Sequence, residues 1–198
     1  MDIVVENLNK KYKDKIILSN FCKTFEEKST TFIIGTSGIG KTTLIQILME
    51  LEEYDSGSIE GIENKKISAV FQSDSLCENL SVFLNVKLVS QNLTCNEVEK
   101  ELMKIGLVDC MDKRVKELSG GMKRRVAIAR ALLYDFDLLI MDEPFKGLDE
   151  ESKAKVMDFV IEKTKEKTVI IITHNLEEIN YFRNHSEEKI IDTVKFIK

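Results

Sequence analysis

The segment TTFIIGTSGIGKTT, Thr30 to Thr43, decides the fold. Thr30 to Ile34 is β-branched and apolar, the composition of a buried strand. GTSGIGKT, Gly35 to Thr42, matches G-x-x-x-x-G-K-[ST]. Leu44, Ile47, Leu48 and Leu51 then recur at helical spacing, which predicts a helix from Lys41 to Leu51. Strand, glycine loop and helix in that order begin an α/β unit built on a parallel sheet. Glycines let backbone N–H groups wrap an anion without Cβ clashes, and the helix N-terminus adds partial positive charge. Gly35, Thr36, Ser37, Gly38, Ile39, Gly40, Lys41, Thr42 and Thr43 are therefore candidate phosphate-binding residues. Lys41 is expected to reach the β- and γ-phosphates of ATP, and Thr42 to bind Mg²⁺.

Working outward, the C-terminal half carries LLIMDE, Leu138 to Glu143. An apolar strand here delivers Asp142 to the C-terminal edge of a parallel sheet, where ligands bind in open α/β folds. Asp142 is expected to hold Mg²⁺, and Glu143 to accept a proton from the attacking water. Between loop and acidic strand lies LSGGM, Leu118 to Met122, at the start of a helix reading through Val126, Ala129, Ala131 and Leu132. Ser119, Gly120 and Gly121 form a second anion-reading helix terminus. One nucleotide has one γ-phosphate, and the first loop already cradles it. A second subunit is therefore expected to complete the site. Taken alone, Ser119 would be an ordinary helix cap.

Strand candidates open the chain at Ile3 to Val5 and Ile16 to Leu18. A further strand, Ile67 to Phe71, ends at Gln72. Ser81 to Ile105 reads as helical, with Thr94 and Glu97 placed as a capping box. Beyond it come strand Asp137 to Asp142, helix Glu150 to Lys165, strand Thr168 to Thr173, a short helix from Asn175 and two terminal strand candidates. The predicted fold is α/β: a phosphate-loop NTPase core with a mostly parallel sheet, N-terminal antiparallel strands and an inserted helical subdomain. One domain is expected over 1–198, with core residues 1–72 and 119–198 and the helical subdomain at 73–118.

Of 198 residues, 43% are hydrophobic and 32% charged, ordinary for a globular chain. Apolar runs such as Leu138 to Met141 are far shorter than the roughly 20 residues a membrane helix needs. The N-terminus lacks a signal core, so a cytoplasmic location is the default. A net charge of −5 argues against nucleic acid as a partner. Lys123, Arg124 and Arg125 read as a solvated helix face. Cys22, Cys77, Cys95 and Cys110 form no C-x-x-C pair, and a metal site built on them is not expected.

Taken together, the motifs resemble those of the ATP-binding subunits of ATP-binding-cassette (ABC) transporters, over nearly the whole chain. They occur in family order: Tyr12, GTSGIGKTT, Gln72, LSGGM, LLIMDEP, GLD at Gly147 to Asp149, and THN at Thr173 to Asn175. The resemblance implies a head-to-tail homodimer with two ATP molecules sandwiched between subunits. It also implies integral membrane permease partners, a place on the inner face of the membrane, and an extracytoplasmic solute-binding protein if the system imports. By the same resemblance Tyr12 would stack on adenine, Gln72 would contact Mg²⁺ or the attacking water, Asp149 would couple the two sites, and His174 would contact the γ-phosphate. Lys41, Gln72, Glu143 and His174 are the expected catalytic set; Thr42, Gln72 and Asp142 are the expected metal set.

Two departures stand out. Met122 occupies a signature position usually held by glutamine, whose amide hydrogen bonds it cannot make. The interval from Lys41 to Gln72 is short, which predicts a trimmed antiparallel part. DEPFKGLDEE and the compact size are most similar to the nitrate, sulfonate and taurine uptake group, so import of a small anion or nutrient is expected. A small exporter is the alternative, followed by a DNA-repair or ribosome-associated ATPase of the same class. The interval from Gln72 to Leu118 is too short for the long coiled coils of the chromosome ATPases.

Overall fold

A computed structural model of the chain describes residues 1–186 and 190–196. Two strands open it, β1 (Ile3–Tyr12) and β2 (Lys15–Phe25), followed by β3 (Thr30–Ile34). Next come α1 (Lys41–Leu48), β4 (Ser56–Glu60) and β5 (Ile67–Val70). Between β5 and α4 (Gly120–Leu132) lie α2 (Val82–Lys87), α3 (Cys95–Lys104) and two 3₁₀ turns. The chain continues through β6 (Leu138–Asp142), α5 (Glu150–Lys163), β7 (Thr168–Ile172), α6 (Leu176–His185) and β8 (Ile191–Lys195).

Five strands form one parallel sheet in the order β5-β6-β7-β3-β8. Its faces are set by the period of two along a strand. Leu138 and Ile140 of β6 and Ile170 and Ile172 of β7 face α1 and the antiparallel sheet. Leu139, Met141, Val169 and Ile171 face the other way, into the core shared with α2, α3, α4, α5 and α6. Burial on both faces explains why these strands read as unbroken apolar runs. The second sheet is antiparallel, in the order β2-β1-β4. Its Ile3, Val5, Leu8, Leu18 and Phe25 cover α1.

Several elements differ from their sequence reading, each for a physical reason. The opening strands run to 10 and 11 residues because they pair along their length as an antiparallel hairpin, whose register shifts break the apolar alternation a sequence reading relies on. β4 has no apolar signature: it is SGSIE, and Gly57 permits it. At Gly57, φ is +112°, and a Cβ there would come within 2.7 Å of the Asn7 and Glu6 carbonyl oxygens. That close approach falls where the β1–β4 register shifts between Glu6 and Asn9. The helix after the phosphate loop stops at Leu48, leaving Leu51 exposed. The helical pattern read over Ser81 to Ile105 is two helices, the second starting at the Thr94 cap and residues 88–94 parting them. Among the described residues one terminal strand, β8, stands where two candidates were read; residues 187–189 and 197–198 lie outside the described chain.

Candidate functional site

A cleft of about 440 Å³ opens at the C-terminal edge of the parallel sheet. Gly35, Ser37, Gly38, Gly40, Lys41, Thr42 and Thr43 form one wall; Gln72, Asp142, Glu143 and His174 form the other. The loop is shaped by its glycines. Gly40 precedes α1 with φ +116°, and a Cβ there would meet Ile17 at 2.9 Å. No side chain caps α1 and no acidic residue occupies its first turn, so its leading amides face the cleft uncancelled.

Lys41 is buried, and its ammonium donates to the carbonyls of Gly35 and Thr36 at 2.8 and 2.9 Å. The loop thus holds its own cation while wrapping an anion-sized space. Thr42 Oγ1 donates to Asp142 Oδ2 at 3.0 Å across 100 residues of sequence. Asp142 is 6% exposed. Burial pushes its carboxyl pKa up, against the lowering pull of the Thr42 hydrogen bond and of Lys41.

Glu143 follows, in the left-handed region at φ +48°. Its amide donates to the Ile172 carbonyl at 2.9 Å, pinning the turn to β7. His174 Nδ1 lies 2.9 Å from Glu143 Oε1. With the ring neutral, that contact places the proton on Nδ1 and leaves Nε2 as the acceptor. The loop carrying His174 is anchored behind it. Thr173 Oγ1 donates to Glu178 at 2.6 Å, and buried Glu178 lies 3.4 Å from buried Lys153 of α5.

Other expected residues are not gathered in this cleft. Ile39 faces a neighbouring groove with Ile16, Phe21 and Phe196, and Thr36 contributes its carbonyl to Lys41. Tyr12 is 43% exposed at the end of β1, with Lys10 Nζ 4.8 Å from its ring. Ser119 and Gly120 are exposed and, with Gly121, lie outside the cleft lining. Ser119 Oγ accepts from the Met122 amide at 3.3 Å as the α4 cap. Asp149 caps α5 through the Ser152 amide at 2.9 Å, and that bond holds its carboxyl below the usual range. Met122 is partly buried against the core, as Leu148 is, so its side chain packs rather than hydrogen-bonds.

Sequence reasoning missed two features. Lys146 lines the cleft, with nothing in its exposed loop setting to mark it. Arg124, read as part of a solvated basic face, is 5% exposed and turned inward; only the packing of α4 on β5 and α2 reveals this.

Residues 18–146 match the family described as ABC transporter. The phosphonates import ATP-binding protein of Fusobacterium nucleatum is 35% identical over 205 residues, covering 88% of this chain and 83% of that protein. The spermidine/putrescine import ATP-binding protein of Acetivibrio thermocellus is 32% identical over 195 residues. That match covers 89% of this chain, which spans 55% of the relative's length. Among solved structures, a bacterial Atm1-family ABC exporter with ATP bound shares the fold at a TM-score of 0.81 and 23% identity, covering all of this chain and 38% of that one. The phosphate loop, acidic strand end and histidine of this cleft thus sit in a chain that belongs to the ABC transporter family, as an ATP-binding and ATP-hydrolysing subunit.

Proposed function

We propose that ATP is hydrolysed in this cleft with Glu143 as general base and that the energy drives import of a small solute. The observation that carries the reading is the contact of Glu143 with His174, on the wall opposite the phosphate loop. The donor set fits a hard divalent cation: a hydroxyl and a buried carboxylate 3.0 Å apart, with an exposed Gln72 amide on the same cleft. Thr42, Asp142 and Gln72 would hold Mg²⁺, which would neutralise charge on the β- and γ-phosphates.

Each protein group then has a task. The loop amides and the α1 terminus bind the phosphates. Lys41 exchanges loop carbonyls for phosphate oxygens, bringing a point charge to the transferring group. Glu143 accepts the proton of the attacking water, His174 orients that carboxylate through Nδ1–H, and Nε2 donates to the γ-phosphate when the ring carries both protons. Tyr12 serves the adenine. Ser119, Gly120, Gly121 and Asp149 serve the cleft of a second, head-to-tail subunit; their exposure outside this chain's own cleft supports that division. The stretch 73–118 acts as the helical subdomain between the core segments 1–72 and 119–198.

Among the described residues no helix is long and apolar enough to cross a membrane, so integral permease subunits would supply the path. The chain would sit on their cytoplasmic face, with an extracytoplasmic solute-binding protein completing an importer and no nucleic acid involved. The two relatives import chemically opposite solutes, a phosphonate anion and a polyamine cation. The narrower expectation of a nitrate, sulfonate or taurine system finds no support in them, and the proposed cargo is a small nutrient. The test is Glu143→Gln. ATP binding should stay near wild type while turnover falls about 10²–10⁴-fold. Undiminished hydrolysis would remove Glu143 from the mechanism. Co-purification of the native complex with a permease, and not with DNA or ribosomes, checks the transport reading.

A further inference from the structure

Arg124 is a cation in the interior, and its guanidinium spends donors almost entirely on backbone carbonyls. Nε donates to Pro144 O at 2.8 Å. One terminal nitrogen donates to Asp142 O at 2.9 Å and to Glu143 O at 2.8 Å. The other donates to Phe71 O and meets Asp74 Oδ1 at 3.2 Å. Five N–H groups thus find five acceptors, which a buried guanidinium requires.

The choice of acceptors is informative. Three are the consecutive carbonyls of Asp142, Glu143 and Pro144. They flank the one residue of this turn that is held in the left-handed region without being glycine. Pro144 has no N–H, so the turn cannot complete a backbone bond at that position. Side chains rarely adopt such a conformation unless their surroundings over-determine it. Here the surroundings are the Ile172 carbonyl on the amide side and Arg124 on the carbonyl side. The remaining acceptors lie on either side of Gln72, at Phe71 and Asp74. Arg124 itself is in α4, five residues after its cap Ser119.

We propose that Arg124 is a positioning residue for ATP hydrolysis, holding the Glu143 turn and the Gln72 segment in one register with the helix that Ser119 begins. The inference rests on Glu143 being the general base. It implies that Arg124 touches neither nucleotide nor water, yet sets where the base carboxylate stands. Displacing a reacting group by about 1 Å can cost about 10²-fold in rate. Lysine cannot substitute, because one ammonium cannot span carbonyls that the planar fork reaches on two sides.

The test uses the full-length protein, measuring Mg²⁺-dependent ATPase with kcat and KM resolved, ATP affinity by a fluorescent analogue, and thermal melting. Arg124→Lys should keep ATP affinity and KM within about three-fold while kcat falls about 10–100-fold. A kcat within about three-fold of wild type, or equal losses in binding and kcat, overturns the proposal. Should Arg124→Lys lose its cooperative melt, Asp74→Asn decides. It exchanges one charged acceptor for a neutral amide oxygen and leaves the four backbone bonds. A kcat lowered about three-fold or more at unchanged KM supports positioning, and an unchanged kcat overturns it. Glu143→Gln run in parallel separates the two readings. If it alone retains activity, the base assignment fails and takes this inference with it. If it is inactive while Arg124→Lys is fully active, only the positioning role fails.

Discussion

At the scale of single residues, Asp142 shows how a site can be unfavourable to its own fold. Its carboxyl is buried beside Thr42, and burial raises its pKa above the ordinary carboxylate value. The linked stability is present in full below that ordinary value and is lost as pH rises through the raised one. At neutral pH the ionised carboxylate therefore weighs against the folded protein until a cation meets it. Asp142→Asn is expected to melt higher than wild type without nucleotide at pH 7–8, at about 2–4 °C per kcal/mol gained. The gain should shrink as pH falls towards 4, and Mg²⁺-ATP should raise the Tm by less than it does in wild type. Melting curves across pH check all three, and a lower melting point for the nucleotide-free variant at neutral pH would contradict the account. Lys41, Thr42, Asp142, Glu143 and His174 were each marked as candidates by motif and context, and all five line one cleft. Arg124 was not, because residue type marks a cation without saying which face of its helix is buried.

At the scale of elements, legibility followed the strength of the local pattern. β3, β6 and β7 were read nearly to the residue because both their faces are buried. The α3 cap was equally plain. Thr94 Oγ1 accepts from the Glu97 amide at 3.3 Å, and Glu97 accepts from the Thr94 amide at 2.7 Å. These bonds hold the Glu97 carboxyl below its usual range. Thr94→Ala should lower global stability by about 1 kcal/mol, read as a lower urea midpoint at unchanged m-value. β4 was illegible because its pairing depends on Gly57 fitting under β1, a contact with residues some 50 positions away in the chain. The start of α3 was marked by its Thr94 cap, whereas the end of α2 at Lys87 was not marked. Asn85 is buried, and its side chain bonds Cys77, Leu80 and Ser81, tying α2 to the loop before it rather than to α3.

At the scale of the whole molecule, the two helix ends that the sequence marks as candidate phosphate readers occupy different faces. α1 opens into the cleft, whereas the α4 terminus is exposed outside it. On the proposed reading, a single chain holds half of each working site. Ser119→Arg should leave ATP binding by the monomer largely intact and abolish ATP-driven dimerisation. Sedimentation in the Glu143→Gln background, where bound ATP persists, reads this out. Loss of ATP binding in the monomer would overturn the division. The substitution also removes the bond from Ser119 to the Met122 amide, so a fall of about 1 kcal/mol in stability is expected alongside.

What the sequence by itself determined is the family, the order of the motifs and the candidate residues for the chemistry. A glycine loop after an apolar strand, an acidic strand end and a serine–glycine helix start are each recognisable within a few adjacent residues. Period-two and period-3.6 patterns are likewise local. What only the tertiary structure decided is which carriers meet. Thr42 reaches Asp142, His174 reaches Glu143, and Arg124 reaches both Phe71 and Pro144. Those contacts depend on strand order and on the register of β6 against β7, where one residue of slip would turn every side chain to the opposite face. Hydrogen bonds act over about 3 Å, and the chain distances they close here run from 20 to 100 residues.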